Sequence, residues 1–319
     1  MPAGTLAILN PCAGNAAKLI GRIETRLYES LSDVLGGLEI ERTRGPRDAS
    51  RIAREAVRAG VKRLVVGGGD GTLGEVVTGL LGAGLGQDAE IGILPLGTGC
   101  DFARGLGIPL APERAIEALA GGTNIRVDAG HIVYRDRGGA DKSCYFLNEA
   151  SFGLSGQVAE AVNLSQRRLG PRLSFAVGSL SAIARHSQPE VVLRVDGEEV
   201  YAGPVALVLA ANGRFCGAGM KMAPGAEFDD GLLDVVLVRA LSRPKLWANL
   251  PSLYSGRHIE HPMVSVHRGA CVEADVRGAD PAPLEVDGEA LGELPVRVKL
   301  LPRAIGLFGV PPAVEAEQG

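Results

Sequence analysis

Residues 1–125 alternate between short apolar runs and segments with helical periodicity. Leu6–Leu9 is a continuous apolar run, and Leu19, Ile23, Leu27 and Leu31 then recur every four residues, as on one face of a helix. The same two patterns predict three further strands and two further helices, at Leu38–Arg42, Asp48–Ala59, Arg63–Gly67, Leu73–Leu81 and Ile91–Leu94. Alternating strands and helices predict a parallel sheet with helices on both faces.

The pattern changes near Asp128, where short strand-like runs follow one another with turn signals between them. Strands in series predict an antiparallel sandwich or barrel. The predicted strands are His131–Tyr134, Ser143–Leu147, Val191–Val195, Val205–Ala210, Leu233–Val238, Cys271–Val276 and Val296–Leu300, and the predicted helices are Leu173–Arg185 and Lys245–Tyr254. We therefore expect a three-layer α/β domain over residues 1–127, a β-rich domain over residues 128–302, and a tail over residues 303–319 that is able to return to the first domain.

Composition and charge narrow the function classes. The chain is 46% hydrophobic and 22% charged, as in ordinary globular proteins. Its net charge is −4 and it has no run of Lys and Arg, which argues against a nucleic-acid partner. The five cysteines form no CxxC pair, so they predict free thiols in a reducing compartment rather than a zinc site or a disulfide framework.

The sequence also predicts where the protein works. The N-terminus has no basic region before its short apolar stretch, so we expect no signal peptide. No segment approaches the roughly 20 apolar residues of a membrane span. We therefore expect a cytoplasmic protein with no transmembrane segment, which meets any lipid by peripheral contact with a membrane surface.

The strongest local signal is Gly67–Thr72, which reads GGGDGT between a Val-rich strand and a helical pattern. Glycines let backbone N–H groups approach phosphates without a Cβ in the way. The carboxylate of Asp70 among phosphates implies a cation between them, and Mg²⁺ prefers one or two carboxylates together with phosphate oxygens. No GK[ST] follows, so this is not a Walker A loop; the plainer alternative is a turn that closes the strand.

These residues resemble a known family. GGDGT after a strand, followed by PLGTGCDFAR at Pro95–Arg104, resembles the catalytic domain shared by diacylglycerol kinases, sphingosine kinases and bacterial soluble lipid kinases. GGDGT by itself is also found in NAD kinases and phosphofructokinases. Four further blocks resemble the family's in the family's order and span nearly the whole chain: Asn10–Gly14, Leu147–Gly153, Ala223–Asp234 and Val286–Glu289.

The resemblance implies roles for particular residues. Asp70 would hold Mg²⁺ against the phosphates, Asp101 would join a water and metal network with it, and Glu289 would be the general base that removes the proton from the lipid hydroxyl. The residues implied in ATP binding are Asn10, Pro11, Cys12, Ala13, Gly14, Thr43, Gly69, Asp70, Gly71, Thr72, Leu73, Gly74, Glu75 and Thr98. The backbone of Glu227 and Leu232 with the side chain of Asp230 would bind a structural Mg²⁺ in the second domain.

The function that the resemblance implies is transfer of the γ-phosphate of ATP to a primary hydroxyl of a lipid, first of all diacylglycerol. Sphingoid bases, ceramide and related lipids stay open as acceptors. Two further alternatives are an NAD kinase and a non-catalytic, lipid-binding regulator on the same fold. The sequence leaves open whether the protein forms a homodimer.

Some positions depart from the family or have a simpler explanation. The family usually has Asn where this chain has Cys100, and a thiol is a poor hydrogen-bonding group. Asn15 stands where a basic residue often supports a charge network with the acid at Asp128. Asp287 followed by Gly is by itself a hairpin turn signal, Asp230 reads equally as part of a turn, and Asp101 is also a plausible helix cap.

Overall fold

The computed structural model describes residues 4–14, 16–159, 187–278 and 280–312. The chain divides into two compact units. The first unit comprises Met1–Val127 and Arg303–Gly319, and the second comprises Asp128–Pro302. The helix predicted at Leu173–Arg185 lies outside the described residues.

The first unit is built on a parallel sheet. Its strands are β1 (Thr5–Leu9), β2 (Leu38–Arg42), β3 (Arg63–Gly68) and β4 (Glu90–Pro95). Its helices are α1 (Ala16–Leu31), α2 (Asp48–Arg58), α3 (Asp70–Leu81), α4 (Asp101–Gly105) and α5 (Pro112–Gly121). The order of these strands is β2-β1-β3-β4, and each pair is parallel. All of β1 is buried, which explains its continuous apolar run.

Helix α1 shows where the periodicity was misleading. Ile23, Leu27 and Leu31 are buried as predicted, whereas Leu19 is 38% exposed. The stripe instead begins with Ile20, which is buried and stands three residues before Ile23. A helix has 3.6 residues per turn, so a buried stripe alternates spacings of three and four, and a strict spacing of four drifts off it.

The second unit is an antiparallel β structure. Two of its strands, β5 (Thr123–Arg135) and β14 (Glu289–Val310), extend into the first unit. Its other strands are β6 (Asp141–Phe146), β7 (Glu149–Gly153), β8 (Glu190–Val195), β9 (Glu198–Ala211), β10 (Leu233–Arg239), β11 (Val264–Gly269), β12 (Cys271–Arg277) and β13 (Pro283–Val286). Residues 154–159 are helical as well, and two further helical elements are α6 (Arg243–Ser255) and a 3-10 helix at Arg257–Glu260. Strand β9 pairs antiparallel with β7, β8 and β10. The predicted fold class, an α/β domain followed by an antiparallel sandwich or barrel, is confirmed.

The end of β14 belongs to the first unit, where Gly306 and Leu307 pair in parallel with Glu90 and Ile91 of β4. A further residue of this segment, Phe308, is 3% exposed. The residues at the very end of the described chain therefore add a strand and apolar side chains to the core of the first unit. No helix within the described ranges is long and apolar enough to cross a membrane.

Phe308→Ala should lower the free energy of unfolding by about 3–5 kcal/mol, the usual cost of truncating a buried Phe. A Cβ built on Gly92 would lie 2.6 Å from Cζ of Phe308, so the ring fills space that Gly92 leaves. Chemical denaturation would measure the change, with Tyr28→Ala as the control because Tyr28 is 47% exposed. Equal small losses in both variants would show that this segment is not part of the core.

Candidate active site

The loops that leave β1, β3 and β4 meet with their backbones in direct contact. A Cβ on Gly14 would lie 2.6 Å from the carbonyl oxygen of Leu96, and a Cβ on Gly97 would lie 2.5 Å from Cα of Gly69. Real Cβ atoms do not approach other atoms so closely, so these contacts require glycine. We name Gly14, Gly69 and Gly97 the glycine junction. It brings the NPCAG, GGGDGT and PLGTG segments together at the carboxyl ends of parallel strands, where ligands of α/β sheets bind.

Asn10 ties two of these loops together. Its Nδ2 donates a hydrogen bond to Oγ1 of Thr72 at 2.9 Å, and its Oδ1 accepts one from the backbone N–H of Cys12 at 2.9 Å. Its own backbone N–H donates to the carbonyl of Gly67 at 2.8 Å. Two residues predicted from separate motifs, Asn10 and Thr72, are therefore hydrogen-bonded to each other.

The carboxylate of Asp70 is fixed by the start of α4. It accepts the backbone N–H of Asp101 at 3.0 Å and that of Phe102 at 3.2 Å. Burial raises the pKa of Asp70, and these backbone hydrogen bonds work in the opposite direction by stabilising the ionised form. Asp101 is itself buried, and its Oδ1 lies 3.5 Å from Nε of Arg104.

A phosphate chain with its cation fits this arrangement. The glycine junction presents backbone without side chains, and the carboxylate beside it is the kind of oxygen ligand that Mg²⁺ takes together with phosphate oxygens. Asp70 would hold the cation here. That role, and the binding of ATP by the surrounding residues, stay predictions.

Cys100 has a conformation that suits Asn, the residue that the resemblance leads us to expect at this position. Its φ is +51°, in the left-handed region that Asn enters more easily than most residues. Its Sγ lies 3.8 Å from the carbonyl oxygen of Gly68. Burial, together with the carboxylate of Asp70, raises the pKa of the Cys100 thiol to about 12, so the thiol is neutral beside Asp70.

The remaining predicted nucleotide contacts lie in the same unit. Thr43 follows β2, and its backbone N–H donates to the carbonyl of Leu9 at 2.9 Å. Glu75 on α3 accepts the backbone N–H of Arg47 at 2.8 Å, so it fixes the loop before α2. Thr98 is exposed in the loop after β4. Their contact with a nucleotide stays a prediction.

In the second unit, the turn that precedes Glu289 is docked on another predicted block. The carboxylate of Asp287 accepts three backbone N–H groups, from Leu147 at 3.2 Å, Asn148 at 3.1 Å and Glu149 at 2.9 Å. A carboxylate with several such bonds is strongly held. The structure thus joins the late VDGE segment to the LNEA segment, and it leaves the Glu289 side chain exposed.

Two buried glutamates support this turn, and sequence reasoning gave neither a role. Glu285 accepts the backbone N–H of Gly288 at 2.6 Å and the hydroxyl of Ser151 at 2.6 Å. Glu149 is hydrogen-bonded to Glu285, and burial followed by the charges of Glu285 and Asp287 raises its pKa well above the ordinary value. Two carboxyl groups in contact share a proton, so Glu149 is the protonated partner. One signal in the sequence pointed to this support. Glu285 stands two residues before Asp287, and residues two apart lie on the same face of a strand.

The tetrapeptide Val-Asp-Gly-Glu occurs twice, at Val195–Glu198 and Val286–Glu289. Both copies are hairpin turns with closely similar φ angles, since φ of Asp and Gly is +50° and +86° in the first copy and +47° and +87° in the second. In the first copy the Asp carboxylate accepts the N–H groups of Ala270 and Cys271. Arg194 precedes that copy, whereas the second copy follows the acid of a buried acid pair. The two turns therefore differ in their surroundings rather than in their own residues.

In the loop predicted to hold a structural Mg²⁺, the guanidinium of Arg268 supplies a positive charge. Oδ1 of Asp230 accepts the backbone N–H of Leu232 at 2.9 Å, and its Oδ2 pairs with the guanidinium of Arg268. Nε of Arg268 also donates to Oδ1 of Asp234 at 2.8 Å, and the two residues stand opposite each other in register. Among the described residues, no group of three or more His, Cys, Asp or Glu is arranged to hold a metal ion.

As arranged, the residues of this loop do not fit a resident Mg²⁺, because Asp230 already has a cationic partner from within the chain. The role of Glu227, Asp230 and Leu232 as a ligand set stays a prediction. Asp128 supports the same loop, since its Oδ2 accepts the backbone N–H of Gly231 at 2.7 Å. Asn15, which was considered with Asp128, lies outside the described residues.

Two protein-family models match this chain, one mainly in the first unit and one mainly in the second. The family model described as "Diacylglycerol kinase catalytic domain" matches residues 4–132, and the one described as "YegS C-terminal NAD kinase beta sandwich-like domain" matches residues 148–309. The second match alone covers about half of the chain.

Individual relatives agree. A Chromohalobacter salexigens protein named "Probable lipid kinase YegS-like" is 34% identical over 268 residues, which cover 82% of this chain and 80% of the relative. A Mycobacterium tuberculosis protein named "Diacylglycerol kinase" is 29% identical over 306 residues, covering 94% and 93%.

A crystal structure of a diacylglycerol kinase from Bacillus anthracis shares the fold, with a TM-score of 0.72 at 21% identity and coverage of 97% of both chains. The family models and the relatives indicate the activity as well as the fold. They favour a lipid kinase over the alternative of an NAD kinase. This chain belongs to the family of YegS-like lipid kinases with a diacylglycerol kinase catalytic domain, and it is a diacylglycerol kinase-like lipid kinase.

Proposed function

We propose that this enzyme depends on ATP and Mg²⁺ and transfers the γ-phosphate of ATP to the primary hydroxyl of diacylglycerol. The observation that carries the proposal is the glycine junction with the carboxylate of Asp70 fixed beside it. The choice of diacylglycerol is supported by relatives from Mycobacterium tuberculosis and Staphylococcus carnosus, both named diacylglycerol kinase.

In this proposal the first unit positions the nucleotide. When bound, Mg²⁺-ATP supplies the phosphoryl group and a cation that neutralises charge as the group is transferred. Asp70 directs a carboxylate towards that cation, and the backbone amides of Asp101 and Phe102 prevent the carboxylate from turning away. The Asn10–Thr72 hydrogen bond keeps the NPCAG loop in place for the phosphates. Positioning is the main task here because phosphoryl transfer is dominated by alignment and charge neutralisation.

Glu289 is the proposed general base. It would accept the proton of the lipid hydroxyl while the hydroxyl oxygen bonds to the γ-phosphorus and the bond from that phosphorus to ADP breaks. Its carboxylate is exposed, and a residue already bound to Mg²⁺, such as Asp70, is a weaker base. Glu149 and Glu285 position the turn that carries it.

A panel of lipid acceptors with radiolabelled ATP tests the function. We expect phosphate transfer to diacylglycerol above transfer to monoacylglycerol, a sphingoid base or ceramide, and we expect it to depend on Mg²⁺. Preferential transfer to another lipid would replace the acceptor, and no transfer to any lipid would favour the non-catalytic regulator. We expect the enzyme to act in the cytoplasm at a membrane surface.

Asp70→Asn should lower turnover by about 10²-fold or more, as when one electrostatic stabiliser is removed from an active site. The amide cannot bind a cation as a carboxylate does. The measurement is kcat with the preferred lipid, together with a melting curve to show that the variant is folded. Asp88→Asn is the control, because Asp88 is an exposed acid of the same unit. Near wild-type turnover in Asp70→Asn would contradict the assignment.

Glu289→Gln should lower kcat by about 10²–10⁴-fold, the usual contribution of a general base, with little change in KM for ATP. The amide keeps the size of the side chain and removes only its basicity. Glu198→Gln is a matched control, because Glu198 ends the other Val-Asp-Gly-Glu turn. Equal activity of the two variants would show that Glu289 is only a turn residue.

Glu149→Gln should become more stable relative to the wild type as the pH rises. The unfolded chain releases this proton near pH 4.5, whereas the folded protein keeps it to a higher pH, so the wild-type free energy of unfolding falls between those two values. The amide does not titrate, and its NH₂ group can still donate to Glu285. Denaturant unfolding over a pH series would show the change, with Glu198→Gln as the control; identical pH profiles for Glu149→Gln and wild type would contradict a protonated Glu149.

A further inference from the structure

Helix α6 is attached to the second unit by one side only. Leu246 packs against the buried residues Val238 and Leu241, and Leu253 packs against a second group of buried residues. No residue of α6 is itself fully buried. The opposite side of the helix therefore has no partner within the described chain that buries it.

Aromatic side chains lie on this outer side. Trp247 is 37% exposed and Tyr254 is 58% exposed, and Pro251 between them is exposed as well. Positions 247, 251 and 254 are spaced four and three apart, so they form one stripe along the helix. Ile259, in the 3-10 helix that contacts α6, is a further large apolar residue with 38% exposure.

The charge of this segment is opposite to that of the chain. Arg243 and Lys245 lie on α6 and are exposed, and the helix has no acidic residue, whereas the whole chain has a net charge of −4. Arg257 follows the helix, and the acid of this stretch, Glu260, lies 3.6 Å from it. Burial lowers the pKa of His258, which keeps that residue neutral.

We propose that the outer side of α6 docks on an anionic membrane surface, with Trp247 and Tyr254 at the level of the lipid headgroups and Arg243 and Lys245 against anionic phosphates. Trp and Tyr favour that interface, and an interfacial helix has basic residues beside an apolar stripe. This inference rests on the proposed function, since a membrane is where a lipid acceptor would be found. A second copy of the chain fits less well, because a symmetric contact across this side would bring like charges together.

Trp247 can serve as an intrinsic fluorescence probe, because it is the single tryptophan in the sequence. The full chain would be titrated with vesicles of phosphatidylcholine containing phosphatidylglycerol, and with vesicles of phosphatidylcholine alone. We expect a blue shift of the tryptophan emission with the anionic vesicles, and quenching when their acyl chains are brominated. An unchanged spectrum with anionic vesicles, or no quenching, would overturn the proposal.

Two double variants separate the contributions. Arg243→Glu with Lys245→Glu, and Trp247→Ala with Tyr254→Ala, should each weaken cosedimentation with anionic vesicles by about tenfold or more, because interfacial binding combines apolar burial and electrostatic attraction. Tyr28→Ala should bind as the wild type does, since it removes an exposed aromatic residue from α1. Binding of both double variants at wild-type strength would overturn the proposal. So would an emission shift that follows protein concentration without vesicles and coincides with dimer formation in sedimentation.

A dispersed short-chain diacylglycerol distinguishes this inference from the proposed function. The double variants should phosphorylate that substrate at the wild-type rate and lose activity only towards diacylglycerol in anionic vesicles. Equal losses on both substrates would show that α6 acts in catalysis or folding rather than in docking. If the wild type binds vesicles through Trp247 but phosphorylates no lipid, the docking inference stands and the proposed function fails.

Discussion

The close backbone approach of three strand exits is the constraint on which the first unit depends. The contacts of Gly14 and Gly97 leave no space for a Cβ, so the loops after β1, β3 and β4 form one surface only if glycine occupies these positions. The hydrogen bond from Asn10 to Thr72 and those from the start of α4 to Asp70 follow from that approach. A side chain in the junction would separate the loops, and Asp70 would lose the amides that hold it. The fold thus brings these three loops together through backbone contacts, with few side chains between them.

The second unit handles buried negative charge in two different ways. Beneath the turn that carries Glu289, a shared proton lets Glu149 and Glu285 remain in contact, and the carboxylate of Asp287 accepts backbone N–H groups. In the loop around Asp230, a guanidinium does the same task, since Arg268 pairs with that acid and with Asp234. The first arrangement depends on pH, because it requires a proton. The second needs no shared proton, because arginine stays charged.

Much of the fold could be predicted from the sequence because apolar periodicity reports which side of an element is buried. That signal gave β1, β3 and β4, and it placed α6 within one or two residues at each end. It did not give α5, whose Pro112 start was not recognised, nor the short strands β11 and β13. It also gave no role to Glu149 and Glu285, because an acid in a strand predicts a solvated position until the neighbouring strand is known.

The order of the elements could be inferred from the sequence alone, and so could the glycine-rich strand exits and the Asp-Gly hairpins, since each of these is a local property of the chain. The two Val-Asp-Gly-Glu turns show the limit, because they have the same four residues and nearly the same φ angles at Asp and Gly, so the tetrapeptide itself does not distinguish Glu198 from Glu289. Only the tertiary structure set one copy against the amides of β12 and the other against the LNEA segment above a buried acid pair. The reason is physical, because burial and neighbouring charge depend on which distant strands pair, and pairing of distant strands is a property of the whole chain.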